Sequence, residues 1–242
     1  TAGSVKIDGS NLGSALAGTI AATRLSANTT SGFSIVEYVG TGANATIAHG
    51  LSEAPELVIL KNTTNSPDTD AWIVGSSKGI DFTDYMILND TVGAADHDAV
   101  WNDLPPDGTI FNKGTGGNGN SDGYPVIAYC FHSVEGYSKV GSYTGNANAD
   151  GAFIYTGFTP AFIIVKNLAS GDGWFMMDNK RNTYNVQTQF LAADANSSEA
   201  TLTTRDVDFV SNGIKFRQAT GWFNNTGSFI YIAFAESPFK TS

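Results

Sequence analysis

The chain contains one pattern twice, and this internal repeat constrains the fold more than any other feature of its 242 residues. The stretch TIAHGLSEAPELVILKN (46–62) aligns with GAFIYTGFTPAFIIVKN (151–167) when Pro55 is placed on Pro160, an offset of 105 residues. The same offset relates IAYCF to IAFAE near the end of each copy, after a short slip that a loop deletion explains. The register predicts a tandem duplication of a unit of about 100 residues.

The repeat predicts two homologous units, residues 32–139 and 140–242, preceded by a leader, residues 1–31. Each unit is long enough to bury a core of its own. In the aligned copies, we expect Leu57, Ile59, Phe162 and Ile164 to be buried in central strands.

Short stretches rich in β-branched and aromatic residues, bounded by Gly, Asn, Asp and Pro, predict an all-β fold with a β-sandwich-like arrangement in each unit. One segment, TYNVQTQFLAADANSSEA (183–200), is the exception, since its pattern allows one or two helical turns. The predicted strands are 33–39, 56–61, 71–74, 85–88, 126–131, 152–155, 161–166, 174–177, 207–210, 214–217 and 229–235.

The leader has too few apolar residues for its own core and precedes the first repeat. Its larger apolar side chains are Leu12, Leu16, Ile20 and Leu25. They must therefore either stay exposed or become buried against other copies of the chain, and short apolar leaders of this kind usually pack around a symmetry axis. The pattern therefore predicts the end of a stalk or an oligomerisation segment.

Composition excludes several classes of partner. The net charge of −10 and the scarcity of Lys and Arg argue against nucleic acid and anionic membranes as partners, because both require basic surfaces. No apolar run is long enough to span a bilayer, so membrane insertion is not expected. The single cysteine, Cys130, excludes an internal disulfide and is typical of a buried apolar side chain.

Two glycine motifs match catalytic or cofactor patterns only in their letters. GTGGNG (114–119) fits the dinucleotide fingerprint, but a turn and a strand pattern follow it where a helix is required. GSSKG (75–79) fits a nucleophile elbow, but no helix pattern follows Ser77 either. We therefore expect two loops, and we expect neither a cofactor nor a catalytic residue.

The remaining candidates for ligand contact are two tryptophans and one acidic cluster. Trp101 and Trp222 lie in polar segments without a repeat partner, where an indole face suits the C–H side of a sugar ring, although a loop anchor is the commoner role. Asp96, His97 and Asp98 place two carboxylates beside an imidazole, but a metal site needs further ligands, so a solvated loop is the simpler interpretation.

A pair of carboxylates, Asp206 and Asp208, falls on one face of a predicted strand, with Val207 and Phe209 on the other. Paired carboxylates serve glycoside hydrolysis, so this pair keeps open the possibility of a polysaccharide depolymerase. Any acidic chain offers such pairs, and ordinary half-buried strand patterning is the simpler explanation of this one.

Several stretches together resemble one family of proteins. LSEAPELVILKN, SDGYPVIAYCFHSVEGYSKVGSYTGN, GFTPAFIIVKN, WFMMDNKRNTYN and YIAFAESPFK are similar to the repeat units of tailed-bacteriophage virion proteins known as tail fibres or minor structural proteins. The resemblance covers about residues 33–240, and SALAGTIAATRLSANTT resembles segments that end fibre shafts and enter trimeric heads. It implies a virion location, contacts with other virion proteins and binding to a glycan or protein receptor on the bacterial surface. It supplies no catalytic residues.

Residues and resemblance together favour a non-enzymatic protein, the C-terminal part of a trimeric tail fibre that binds the host surface. A capsid decoration or head-fibre protein is the alternative within the same class. A polysaccharide depolymerase is the alternative of a different class, and it requires paired carboxylates in a cleft.

Overall fold

The computed structural model describes residues 5–12, 16, 18–64, 71–169, 171–182, 184–201, 206–219 and 222–239. The chain divides into two compact units, the first formed by residues 1–87 and 94–132 and the second by residues 88–93 and 133–242. Regular structure in the described residues is almost entirely β-strand, so the fold is all-β. The one helix among them, α1 (Asp98–Trp101), has four residues, and none in this part of the chain is long and apolar enough to cross a membrane.

The first unit contains a large sheet and a small one. The large sheet has nine strands in the order β2-β1-β3-β4-β11-β6-β7-β8-β9, and the small one pairs β10 with β5. The strands are β1 (Val5–Ile7), β2 (Ser10–Asn11), β3 (Arg24–Asn28), β4 (Phe33–Val39), β5 (Ala45–Ala48), β6 (Leu57–Asn62), β7 (Trp72–Ser76), β8 (Asp84–Ile87), β9 (Ala95–Asp96), β10 (Ile110–Lys113) and β11 (Pro125–Phe131).

The core of the first unit lies between these two sheets. Strand β4 alternates, with Val36 and Tyr38 fully buried while Ile35 and Val39 are partly exposed, as expected for a strand with one face on a core. Residues of the small sheet, including Ile47 and Phe111, belong to the same apolar cluster. Two sheets that share one core form a sandwich-like unit.

The second unit repeats this division. Its larger sheet has six strands in the order β12-β20-β14-β15-β16-β17, and its smaller sheet has the order β13-β19-β18. The strands are β12 (Ser138–Thr144), β13 (Phe153–Tyr155), β14 (Pro160–Asn167), β15 (Trp174–Asp178), β16 (Gln189–Ala192), β17 (Ala200–Thr201), β18 (Val207–Val210), β19 (Gly213–Phe216) and β20 (Ser228–Ala235).

The two units share a strand order and a set of internal hydrogen bonds. Strands β4-β11-β6-β7-β8-β9 of the first unit correspond in order to β12-β20-β14-β15-β16-β17 of the second. The Tyr38 hydroxyl donates to a backbone carbonyl 2.5 Å away, and Tyr143 makes the same kind of bond at 2.6 Å. Asn120 and Asn224 are buried, and each donates its amide to backbone carbonyls. A common origin of the units stays a prediction.

The expectation that the leader lacks a partner within its own chain is wrong. Strand β3 of the leader pairs with β4, and β1 pairs with β3, so both belong to the large sheet. Leu25 is 2% exposed and Ile20 is 8% exposed within the core of the first unit, and Leu16 packs against it partly buried. Only Leu12 is largely exposed, at 42%. Other residues of the same chain cover most of the leader's apolar side chains. Trimerisation therefore stays a prediction, and the apolar leader no longer supports it.

Replacing Leu25 with alanine should lower the free energy of unfolding by about 2–3 kcal/mol, because it opens a cavity in a closed core. Leu12→Ala is the matched control, and it should change that free energy by less than about 0.5 kcal/mol because its side chain is exposed. Urea denaturation followed by far-UV circular dichroism measures both. Equal, small effects would show that the leader is a tether outside the core.

Two further expectations need correction. Residues 184–200 contain strand β16 and the start of β17 and no helical turn, since β16 pairs with β15 and tertiary pairing overrides the local pattern; Thr183 lies outside the described residues. Leu57 is buried, but Ile59, Phe162 and Ile164 are only partly buried. Their neighbours Val58, Leu60, Ile163 and Val165 fill the cores instead.

Candidate functional site

A cleft of about 500 Å³ in the second unit has an aromatic wall around Trp222. Trp222 is half-buried and stacks in parallel on Phe175, with ring centroids 4.2 Å apart and an interplanar angle of 1°. The edge of Phe190 meets Trp222 at 5.5 Å. We call this site the Trp222 cleft; its lining consists of Thr91, Gly171, Gly173, Phe175, Phe190, Ala192, Asp194, Ala195, Ser197, Ser198, Glu199, Ala200 and Trp222.

Neighbouring strands place the aromatic wall. Phe175 lies on β15 and Phe190 on the adjacent β16, and both are buried in the core of the second unit. Trp222 comes from the turn before β20 and covers this pair from the side of the cleft. The indole is held against a core that is already packed, so its orientation is preorganised.

Carboxylates and hydroxyl groups line the rest of the cleft. The Asp194 Oδ1 accepts a hydrogen bond of 2.6 Å from the backbone N–H of Trp174, which fixes that carboxylate. The carboxylate of Glu199 pairs with the Arg181 guanidinium at 3.0 Å. Thr91, Ser197 and Ser198 add hydroxyl groups.

Small residues and a buried lysine shape the same wall. A Cβ added at Gly173 would lie 2.6 Å from the Asp194 Oδ1, so only glycine leaves room for this carboxylate. The ammonium group of Lys166 donates to the backbone carbonyl of Thr91 at 3.1 Å and to that of Asp172 at 2.6 Å. Burial lowers the pKa of Lys166. These contacts tie residue 91 to the second unit and keep the cleft in shape.

A flat aromatic face beside fixed acceptors suits a sugar ring. The indole offers apolar surface for the C–H face of a pyranose, and carboxylates and hydroxyls bond the ring hydroxyls. No group of three or more His, Cys, Asp or Glu side chains among the described residues is arranged to hold a metal ion. The arrangement therefore fits recognition of a polar ligand.

Comparison with known proteins places the chain in a family. A family model described as a domain of unknown function (DUF7483) matches residues 7–238, which includes nearly all of both units. The chain belongs to the DUF7483 family. No curated protein and no solved structure matches it. Because the family description assigns no chemistry, function in this DUF7483 chain has to be inferred from geometry.

Of the two tryptophans that the sequence indicated, Trp222 lines the cleft described above. The proposal that Trp101 contacts a ligand is wrong, because Trp101 is fully buried in the first unit. Phe82 packs against its ring edge-on at 5.1 Å, and the Lys113 ammonium lies 4.4 Å from the ring centroid. Any side chain at Gly75 would collide with the indole, which explains the first glycine of GSSKG by packing.

The acidic cluster of the first unit stays in solvent. Asp96 ends the short strand β9, His97 follows it, and Asp98 begins α1. The Nδ1 atom of His97 is 3.8 Å from the Asp98 carboxylate, and their side chains are 55% and 83% exposed. Among the described residues they belong to no group of three or more side chains that could hold a metal ion. They are solvated, although Asp96 and Asp98 belong to a short strand and a short helix.

The Asp206 and Asp208 pair is engaged by neighbours. Asp208 is only 8% exposed and pairs with Arg217 at 2.6 Å, whereas Asp206 accepts a bond from the Gln218 amide. The expected alternation of β18 fails, since Val207, Asp208 and Phe209 are all buried. These side-chain partners indicate a structural role for both carboxylates.

The glycine-rich loop 114–119 is packed against α1. The backbone N–H groups of Gly114 and Gly116 donate to the carbonyls of Val100 and Ala99, and a Cβ at either glycine would collide with Ala99. No helix follows the loop, so the dinucleotide pattern is a coincidence of composition.

Sequence reasoning missed Phe175, Phe190, Asp194 and Glu199. The two phenylalanines look like ordinary strand residues, and the carboxylates lie in a polar segment. The order of the strands in the sheet brings these four residues beside Trp222, and the sequence does not reveal that order.

Proposed function

We propose that the chain is a glycan-binding domain of a tailed-phage virion and that the Trp222 cleft is its binding site. The observation that carries the proposal is the indole of Trp222, stacked on Phe175 and bordered by the carboxylates of Asp194 and Glu199. Sugar recognition uses this combination of a flat apolar face and oriented acceptors.

The virion part of the proposal rests on the resemblance of the repeat motifs to tail-fibre proteins. In this proposal the chain is the C-terminal part of a homotrimeric tail fibre and contacts other virion proteins. Three copies would raise the avidity of weak sugar contacts by roughly 10²–10⁴. A head-surface decoration protein is the alternative location, and immunogold labelling of intact virions with antibodies to this chain distinguishes tail from head.

Trp222→Ala should weaken binding to a bacterial surface glycan by at least about tenfold, because a central aromatic contact commonly contributes more than 1 kcal/mol. The glycan is chosen as the strongest binder on an array of bacterial polysaccharides, and titration calorimetry gives its Kd. Tyr155→Ala is the matched control, since Tyr155 is 59% exposed and lies outside the cleft. An unchanged Kd for Trp222→Ala would overturn the assignment of the site.

A second candidate function is a polysaccharide depolymerase, since two carboxylates do line the cleft. Hydrolysis needs one carboxyl group that gives a proton to the glycosidic oxygen and a second that acts as base or nucleophile. Here the Glu199 carboxylate pairs with Arg181 and the Asp194 Oδ1 accepts the Trp174 N–H, so each carboxylate already has a structural partner. We therefore propose binding without cleavage. Release of reducing ends that disappears in Asp194→Asn and Glu199→Gln would establish the enzyme instead.

A further inference from the structure

Every charged side chain in the described lining of the Trp222 cleft is acidic. Asp194 and Glu199 supply carboxylates, and no lysine, arginine or histidine lines the cleft among the described residues. The chain as a whole carries a net charge of −10, so no positive background offsets this charge.

Two described cations contact lining residues, and each already serves several acidic or carbonyl groups. Arg181 pairs with Glu199 at 3.0 Å and with Asp178 at 2.6 Å. Lys166 is fully buried, donates to two backbone carbonyls and interacts electrostatically with three aspartates, among them Asp194. Among the residues that the structure describes, carboxylates outnumber cations around the cleft, and these residues give it a negative field at neutral pH.

We propose that the Trp222 cleft selects sugars by charge, binding amino sugars most tightly, then neutral sugars, and excluding sugars that carry carboxylate or phosphate groups. The inference rests on the proposed function and adds a ligand class to it. A protonated amine gains a charge-assisted hydrogen bond to a fixed carboxylate. A uronate or phosphate brings a like charge into a partly dehydrated site, where repulsion is stronger than in water.

Asp194 is the carboxylate that discriminates best. Its Oδ1 atom is held by the Trp174 N–H, and Gly173 packs against it, so it cannot easily turn away from an unfavourable ligand. Glu199 is more exposed, at 43% of its side chain, and Arg181 offsets part of its charge. We therefore expect Asp194→Asn to reduce the preference for amino sugars more than Glu199→Gln does.

The experiment compares pairs of oligosaccharides in which one substituent changes the charge: chitosan and chitin oligomers, which differ by N-acetylation, and free and methyl-esterified oligogalacturonate. Wild type, Asp194→Asn, Glu199→Gln and Trp222→Ala are measured at low and at high salt. We expect chitosan to bind most tightly, and Asp194→Asn to reduce that preference by about twofold to fivefold. Glu135→Gln, an exposed acidic residue outside the cleft, is the matched control and should change nothing.

The outcomes separate the two proposals. Binding of free oligogalacturonate as tight as that of its ester, still lost in Trp222→Ala, overturns charge selection and leaves the sugar site intact. Absence of Trp222-dependent binding to every oligosaccharide in the set and on the polysaccharide array overturns the proposed function, and charge selection with it. A charge preference unchanged in Asp194→Asn also contradicts the inference.

Discussion

Replacing Trp101 with alanine should lower the free energy of unfolding by about 3–5 kcal/mol and leave glycan binding unchanged. The side chain is fully buried, Phe82 meets its ring edge-on, and the Lys113 ammonium lies 4.4 Å from the ring centroid. Truncation would leave a cavity between α1 and β7 and would remove the aromatic partner of a buried cation. Urea denaturation followed by far-UV circular dichroism measures the loss.

Trp222→Ala is the matched variant, because the same substitution is made at a half-buried site. It should reduce stability less than Trp101→Ala and should abolish most of the glycan binding. If the two variants instead show equal losses of stability and of binding, then the separate roles inferred for the two tryptophans are wrong.

The stability of the chain should rise between pH 7 and pH 9 by about 2 kcal/mol through Lys113 alone. Burial lowers the pKa of Lys113 from 10.5 to about 7, and no exposed surface remains on the residue. Between these two values the unfolded chain carries a proton on Lys113 that the folded chain largely lacks. Because the unfolded state binds more protons, the free energy of unfolding increases with pH, at a maximum of about 1.4 kcal/mol per unit.

The upper limit of this window is set by Cys130. Burial raises the pKa of its thiol from 9.0 to about 12, so above pH 9 the unfolded thiol loses a proton that the folded one keeps. The unfolded state then binds fewer protons, and stability falls again. Measurements from pH 7 to pH 9 therefore lie below the range in which the thiol dominates. Burial also lowers the pKa of Lys166, so a variant of Lys113 is needed to separate the contributions of the two lysines.

Lys113→Met tests the linkage, since methionine keeps a similar length without charge. In this variant the rise between pH 7 and pH 9 should disappear. Below pH 7 the wild type must bury a charged ammonium group, which the variant lacks. The pKa difference of Lys113 corresponds to a cost of about 4–5 kcal/mol for burying this charge. The hydrogen bond to the Asn118 carbonyl and the contact with the Trp101 ring offset part of that cost in the wild type. Lys139→Met, at a half-buried lysine without this environment, is the control. If the free energy of unfolding of Lys113→Met rises between pH 7 and pH 9 as much as that of the wild type, then groups other than Lys113 cause the rise.

The all-β character follows from local sequence. Most predicted strands lie within one or two residues of observed ones, because β-branched and aromatic runs between Gly, Asn, Asp and Pro express a backbone preference that is local. The local pattern missed nine strands in the described part of the chain, because most of them are short or contain small and polar residues and are stabilised by their pairing partners: β1, β2, β3, β5, β9, β10, β12, β16 and β17. The repeat offset of 105 residues is visible in the sequence alone. The strand order that the two units share is visible only in the structure.

The site depended on tertiary structure, because burial is decided by residues far away in the chain. Trp101 and Trp222 have similar polar neighbours in sequence, yet one is enclosed by Phe82 and Lys113 and the other stacks on Phe175 at the edge of a cleft. The leader is covered in part by the next strand, since β3 pairs with β4, and in part by residues farther along the chain, since Ile20 bridges to Ile47. Local sequence specifies which segments become strands, whereas the free energy of burying a side chain depends on which strands pack over it.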